Sequence, residues 1–134
     1  MELIWAMVNL LDLIGRIFIS SVFLFSGINK IFQYEGTVQW MEGFGVPGFL
    51  LIPTIVVEII FPILIIIGYQ TKFAAGILAL FCMTTGLIFH LDLSNQMQII
   101  ALLKNLGLAG GLIFLVINGP KEFVVIKKKK YVRL

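Results

Sequence analysis

Four apolar stretches, residues 10–32, 49–69, 73–91 and 99–118, take up most of the chain. A bilayer's hydrocarbon core is about 30 Å thick, and about 20 consecutive, mostly apolar residues of helix are needed to cross it. Each stretch is of that order. Backbone groups in lipid must be satisfied within their own segment, so helices are the expected spanning element. The breaks carry turn chemistry: "GFGVPG" (43–48), "GYQTK" (68–72) and "DLSNQ" (92–96), with Gly119 and Pro120 stopping the last helix. Composition points the same way. Of 134 residues, 60% are hydrophobic and 13% are charged, where a soluble domain carries about 25% charged. A soluble chain this short buries only about two thirds of its surface, so the apolar surplus faces lipid. The expected fold is all-α, a single transmembrane domain over residues 1–134 with four spanning helices. The first stretch does not read as a cleaved signal peptide, because it lacks a basic start, is too long and has no small-residue cleavage pattern after it.

The cations set the orientation. The end "IKKKKYVRL" is basic and Lys72 marks the second connection. By the positive-inside rule both termini and that connection are expected in the cytoplasm; the expected location is a prokaryotic cytoplasmic (inner) membrane. The opposite side carries Glu35, Glu42 and Asp92. The net charge of +3 therefore speaks of topology, not of nucleic acid, although the tail can also rest on anionic lipid at about 1 kcal/mol per cation. In "QYEGTVQWMEGFG", Thr37, Trp40, Met41 and Phe44 share one helical face. A short amphipathic helix in the outer interface is expected there, serving as a lid, with Tyr34 and Trp40 as anchors.

Polar residues inside the spans fall on inward stripes. Arg16, Ser20, Gly27 and Lys30 align at 100° per residue in the first span. Glu58 stands alone in "VVEIIFPILIII", His90 ends the third span, and the fourth holds Lys104 and Asn105 beside "GLAGG", a small-residue pattern that lets helices approach closely. An unpaired charge at mid-bilayer costs from about 3 to over 10 kcal/mol, so Glu58 needs a proton or a partner. Lys104 is the nearest partner by depth. Pro62 has no N–H to give to the carbonyl of residue 58, and its ring pushes on that carbonyl. A kink, a freed acceptor and an acid are thus expected at one level.

These residues resemble a known family. "GRIFISSVFLFSGINK", a glutamate midway along the second span, "IIIGYQTKFAA", a histidine ending the third and "LLKNLGLAGG" look like the DoxX family of small four-helix membrane proteins. The resemblance covers roughly residues 13–120, and the lysine-rich end after Pro120 departs from it. It implies association with membrane oxidoreductase complexes, and it marks Arg16, Lys30, Glu58, His90 and Lys104 as family-type polar positions.

Such a cluster suits a ligand with carbonyl or anionic oxygens. A quinone fits, its head taking hydrogen bonds and its tail lying between helices. Glu58 and His90 would relay protons, imidazole being the side chain that exchanges them most readily near neutral pH. The competing reading is an ion-pair network that fixes helix register, and for His90, at a helix end near water, that plainer reading comes first. The single cysteine, Cys82, excludes an internal dithiol cycle, and the single histidine excludes paired-histidine haem ligation. No metal-ligand spacing, phosphate loop or dinucleotide fingerprint occurs. The sequence therefore reads as an accessory subunit of a membrane oxidoreductase system with a quinone-type site, the redox centre being supplied by a partner protein or the quinone. Two alternatives stand beside it: a non-catalytic assembly scaffold, and a small proton-coupled carrier. Too few helices for an inverted repeat weighs against the carrier unless the chain forms a homo-oligomer.

Overall fold

A computed structural model describes residues 1–125; the basic run at 127–130 lies outside the described residues. Five α-helices follow in order: α1 Glu2–Phe32, α2 Tyr34–Gly43, α3 Leu51–Ile67, α4 Thr71–Phe89 and α5 Gln96–Asn118, with a 3-10 turn, Gly48–Leu50, leading into α3. Four segments are long and apolar enough to cross a membrane: α1, the turn with α3, α4 and α5. The chain is an all-α membrane bundle of four spans, with the short helix α2 between the first two.

The helix ends follow the local chemistry. α1 begins at Glu2 rather than at residue 10, because no glycine or proline interrupts residues 2–14 and the helix continues past the apolar window. Gly68 closes α3 in the left-handed conformation, φ +77°, which glycine adopts without steric cost. A side chain there would also strike Val124. Asn95 caps α5, its side chain accepting the Met97 N–H at 2.9 Å.

Packing runs α1 against α3, α3 against α4 and α4 against α5, whereas α1 and α5 touch only lightly. α4 packs between α3 and α5, and its buried face is mostly of small residues: Ala74, Ala75, Ala79, Cys82 and Gly86 beside Thr71 and Leu78. Small residues of this kind let backbones close on each other where lipid supplies no hydrophobic drive. Leu78 and Leu112 fill the α4–α5 seam, and Ile65 joins α3 to the same core. α2 sits across the end of the bundle where α1 finishes and α3 begins. Its Met41 is buried, and Trp40 stacks on Phe89 of α4 with centroids 4.4 Å apart, Phe44 completing the cluster at 5.1 Å from Phe89.

Candidate functional site: a polar layer around Glu58

Of the predicted stripe of α1, Arg16, Ser20 and Gly27 are buried, with Phe23 beside them, and Lys30 is half-buried. At Gly27 the missing side chain decides the geometry. A Cβ there would stand 3.1 Å from Glu58 Cβ and 3.0 Å from Ile59 Cγ1, so glycine is what lets α3 press Glu58 against α1. One turn outward, Lys30 Nζ reaches back and meets Glu58 Oε1 at 2.8 Å, while also donating to Ser26 Oγ at 2.6 Å. The carboxylate is 2% exposed and the lysine 23%. Glu58 Oε2 is different. It is buried and has no hydrogen-bond partner in the described structure. An unanswered buried acceptor of this kind costs roughly 1–3 kcal/mol, more when charged.

The partner of Glu58 is therefore Lys30 and not Lys104. Lys104 is exposed on α5. Depth placed it near Glu58, but pairing depends also on which helices adjoin, and α3 packs on α1 and α4 rather than α5. Lys104 nonetheless stands at a similar level along the bundle. Gly111, two turns further in on the same face of α5, faces Ile19 of α1, whose Cδ1 lies 3.0 Å from where a Gly111 Cβ would be. Seven residues outward on each helix, about 10 Å at 1.5 Å per residue, stand Lys104 and Ser26. Gly107, between Lys104 and Gly111, has open space where a side chain would go.

Asn105 faces α4 and extends the layer. Its Nδ2 donates to the Cys82 carbonyl at 3.2 Å and lies 3.4 Å from Thr85 Oγ1. Gly86 gives it room, since a Cβ there would lie 3.3 Å from Asn105 Nδ2. Cys82 is buried on the α4 face. Pro62 lies on the buried face of α3 one turn from Glu58, and it offers the Glu58 carbonyl no N–H.

Two of the expected cluster residues stand elsewhere. His90 follows α4, and its Nδ1 lies 2.8 Å from Gln98 Oε1. It is eight residues beyond Cys82, hence about 12 Å outward, and it ties the α4–α5 connection together. Arg16 sits at the opposite end, 1% exposed. Its Nη1 donates to the carbonyls of Ile65 (3.0 Å) and Ile66 (2.8 Å), its Nη2 to that of Phe123 (2.6 Å), and its Nε to Asp12 Oδ2 (2.9 Å). The same Asp12 oxygen accepts the Lys121 N–H at 3.0 Å. Arg16 thus caps the negative end of α3 and fastens residues 121–123 beneath the bundle. The Asp12–Arg16 spacing of four was readable as a helical pair; their hold on the tail, over 100 residues away, was not.

The sequence model of the DoxX family matches residues 11–91, a segment that contains Arg16, Lys30, Glu58 and His90. Among curated proteins, the inner membrane protein YqjF of Escherichia coli (strain K12) is 34% identical over 113 residues, covering 84% of this chain and 87% of that protein. Inner membrane protein YphA of the same organism is 32% identical over 115 residues, covering 81% and 82%. No solved structure matches the chain. A family match over more than half the chain, two relatives of nearly full coverage and four spans in the expected order lead to one assignment: the chain belongs to the DoxX family.

Proposed function

We propose that this protein acts in a cytoplasmic (inner) membrane as an accessory subunit of a membrane oxidoreductase system, holding a quinone-type head group at the Glu58 layer. The observation that carries this reading is the buried, unpartnered Oε2 of Glu58, beside an ammonium already fixed on the other oxygen. The residues present suit such a group. Lys30 and Lys104 are donors for carbonyl oxygens, and Glu58 Oε2 is an acceptor for a hydroxyl. A bound quinone would supply two-electron redox chemistry that the chain's own residues do not. The part of this chain is to position the head, to hold a proton at Glu58 Oε2 and to exclude water through the α2 lid. His90, about 12 Å further out, stands where a proton would pass between the layer and the outer surface. The relatives' inner-membrane names support the location, and the lysine distribution supports cytoplasmic termini by the positive-inside rule.

Quinone is expected to co-purify with the wild-type protein in mild detergent. Glu58→Gln, which keeps shape and removes the charge, should leave the fold intact and lower quinone content severalfold. If wild type carries no quinone and Glu58→Gln leaves a co-purifying partner enzyme fully active, the layer is a strut and the scaffold reading replaces this one. Orientation is tested separately. A cysteine at Ser94, which is exposed, should react with an impermeant thiol reagent in intact cells, and one at Val132, outside the described residues, should not. The reverse pattern would invert the topology.

A further inference from the structure

Away from the Glu58 layer, a groove of about 460 Å³ runs along the outer flank of α4 and α5. That volume falls within the range of about 300–1,000 Å³ typical of small-molecule sites. Its walls are apolar, with Gly76, Leu80 and Met83 on α4 and Ile113 and Val116 on α5. The groove exists because Gly76 leaves a gap; a Cβ there would meet only Val116 Cγ2, at 3.8 Å. Its one charged residue is Lys72, in the first turn of α4. From Lys72 to Met83 is eleven residues, about 16 Å at 1.5 Å per residue. That is close to half of the roughly 30 Å hydrocarbon core, the depth of one leaflet.

Lys72 is also positioned. Its Cε lies 2.9 Å from where a Gly119 Cβ would stand, and Gly119 has φ +67°. The lysine stem therefore passes over a glycine that no other residue could easily replace. No acid partners the Lys72 ammonium among the described residues. α4 begins with no side-chain cap, so the positive end of its dipole adds to the lysine charge.

We propose that this groove binds one anionic phospholipid from the leaflet at the basic-tail end, with its phosphate on Lys72 and one acyl chain along Gly76 to Met83. A spanning helix from another protein would need a groove twice as deep. This site is independent of the quinone reading and survives its failure.

The test uses the full chain in bilayer nanodiscs of zwitterionic phosphatidylcholine, doped with phosphatidylglycerol that carries a photoreactive group at its acyl end. Crosslinks mapped by mass spectrometry should concentrate at Leu80 and Met83. Lys72→Gln should lower their yield about fivefold, the ratio corresponding to about 1 kcal/mol per interfacial cation. Gly76→Leu, whose side chain would occupy the groove, should remove them for either head group. Lys121→Gln, at the same membrane face but outside the groove, should change little. Equal yield from a matched phosphatidylcholine probe, an even spread over all spans, or an equal drop with Lys121→Gln would overturn the site.

Discussion

Arg16 and Lys30 share one stripe of α1, and both reach across to α3, yet their partners are used to different degrees. Around Arg16 every guanidinium nitrogen has a described acceptor. Two α3 carbonyls, one tail carbonyl and Asp12 take its N–H groups, and the tail amide of Lys121 takes more of Asp12. Around Lys30 the matching stops at one carboxylate oxygen, and the other is buried without a partner. A buried ion engaged at every nitrogen is a fastening, with little left to offer a ligand. An unsaturated one holds interaction free energy in reserve for something that binds. The same helix, the same face and the same kind of charge thus carry two roles, distinguished by the unanswered carboxylate oxygen of Glu58.

The contrast can be broken most severely at Arg16. Arg16→Ala should destabilise the detergent-solubilised protein by about 3–5 kcal/mol, the range for removing one partner of a buried pair. Arg16→Lys should recover only part of that, since an ammonium cannot serve four acceptors in a plane. Thermal unfolding followed by circular dichroism reads both, and a near-neutral Arg16→Ala would mean the clasp is ornamental. At Lys30 the expected loss is smaller. Lys30→Met should cost about 2–3 kcal/mol, below the fully buried range because the lysine is partly exposed. Adding Glu58→Gln should restore some of it, and strictly additive losses would deny the pair. The smallest effect lies at Lys104. A double-mutant cycle of Lys104→Met with Glu58→Gln should show coupling under about 0.5 kcal/mol, the level of residues that do not touch. A larger value would place Lys104 back beside the carboxylate.

Much of this arrangement can be read from the residues. The spans follow from apolar length, the inward stripe of α1 from its spacing, and the lid from the Trp40–Phe44 face. The choice between Lys30 and Lys104 does not follow. Position along a span gives depth, one coordinate, while the second is the order of helices around the bundle, which depends on contacts such as Gly27 on Glu58 and Asn105 on Gly86. Glycines in apolar helices are common, so neither contact stands out in advance. Arg16 shows the same limit. Its charge marked it for the interior, but whether it met a ligand or the end of α3 depended on residues 49 and 107 positions away.

The Phe123 carbonyl has a further consequence, in the order in which the protein is made. Arg16 leaves the ribosome early and enters the membrane with Asp12 as its neighbour. The α3 carbonyls follow 49 and 50 residues later. The acceptor for Nη2 arrives only after 107 residues, when every span has been synthesised. The Val125 N–H then closes on the Ile67 carbonyl at 2.8 Å. A chain cut short before Phe123 contains all four spans but lacks that acceptor, so the fastening of the bundle waits on a residue made after the last span.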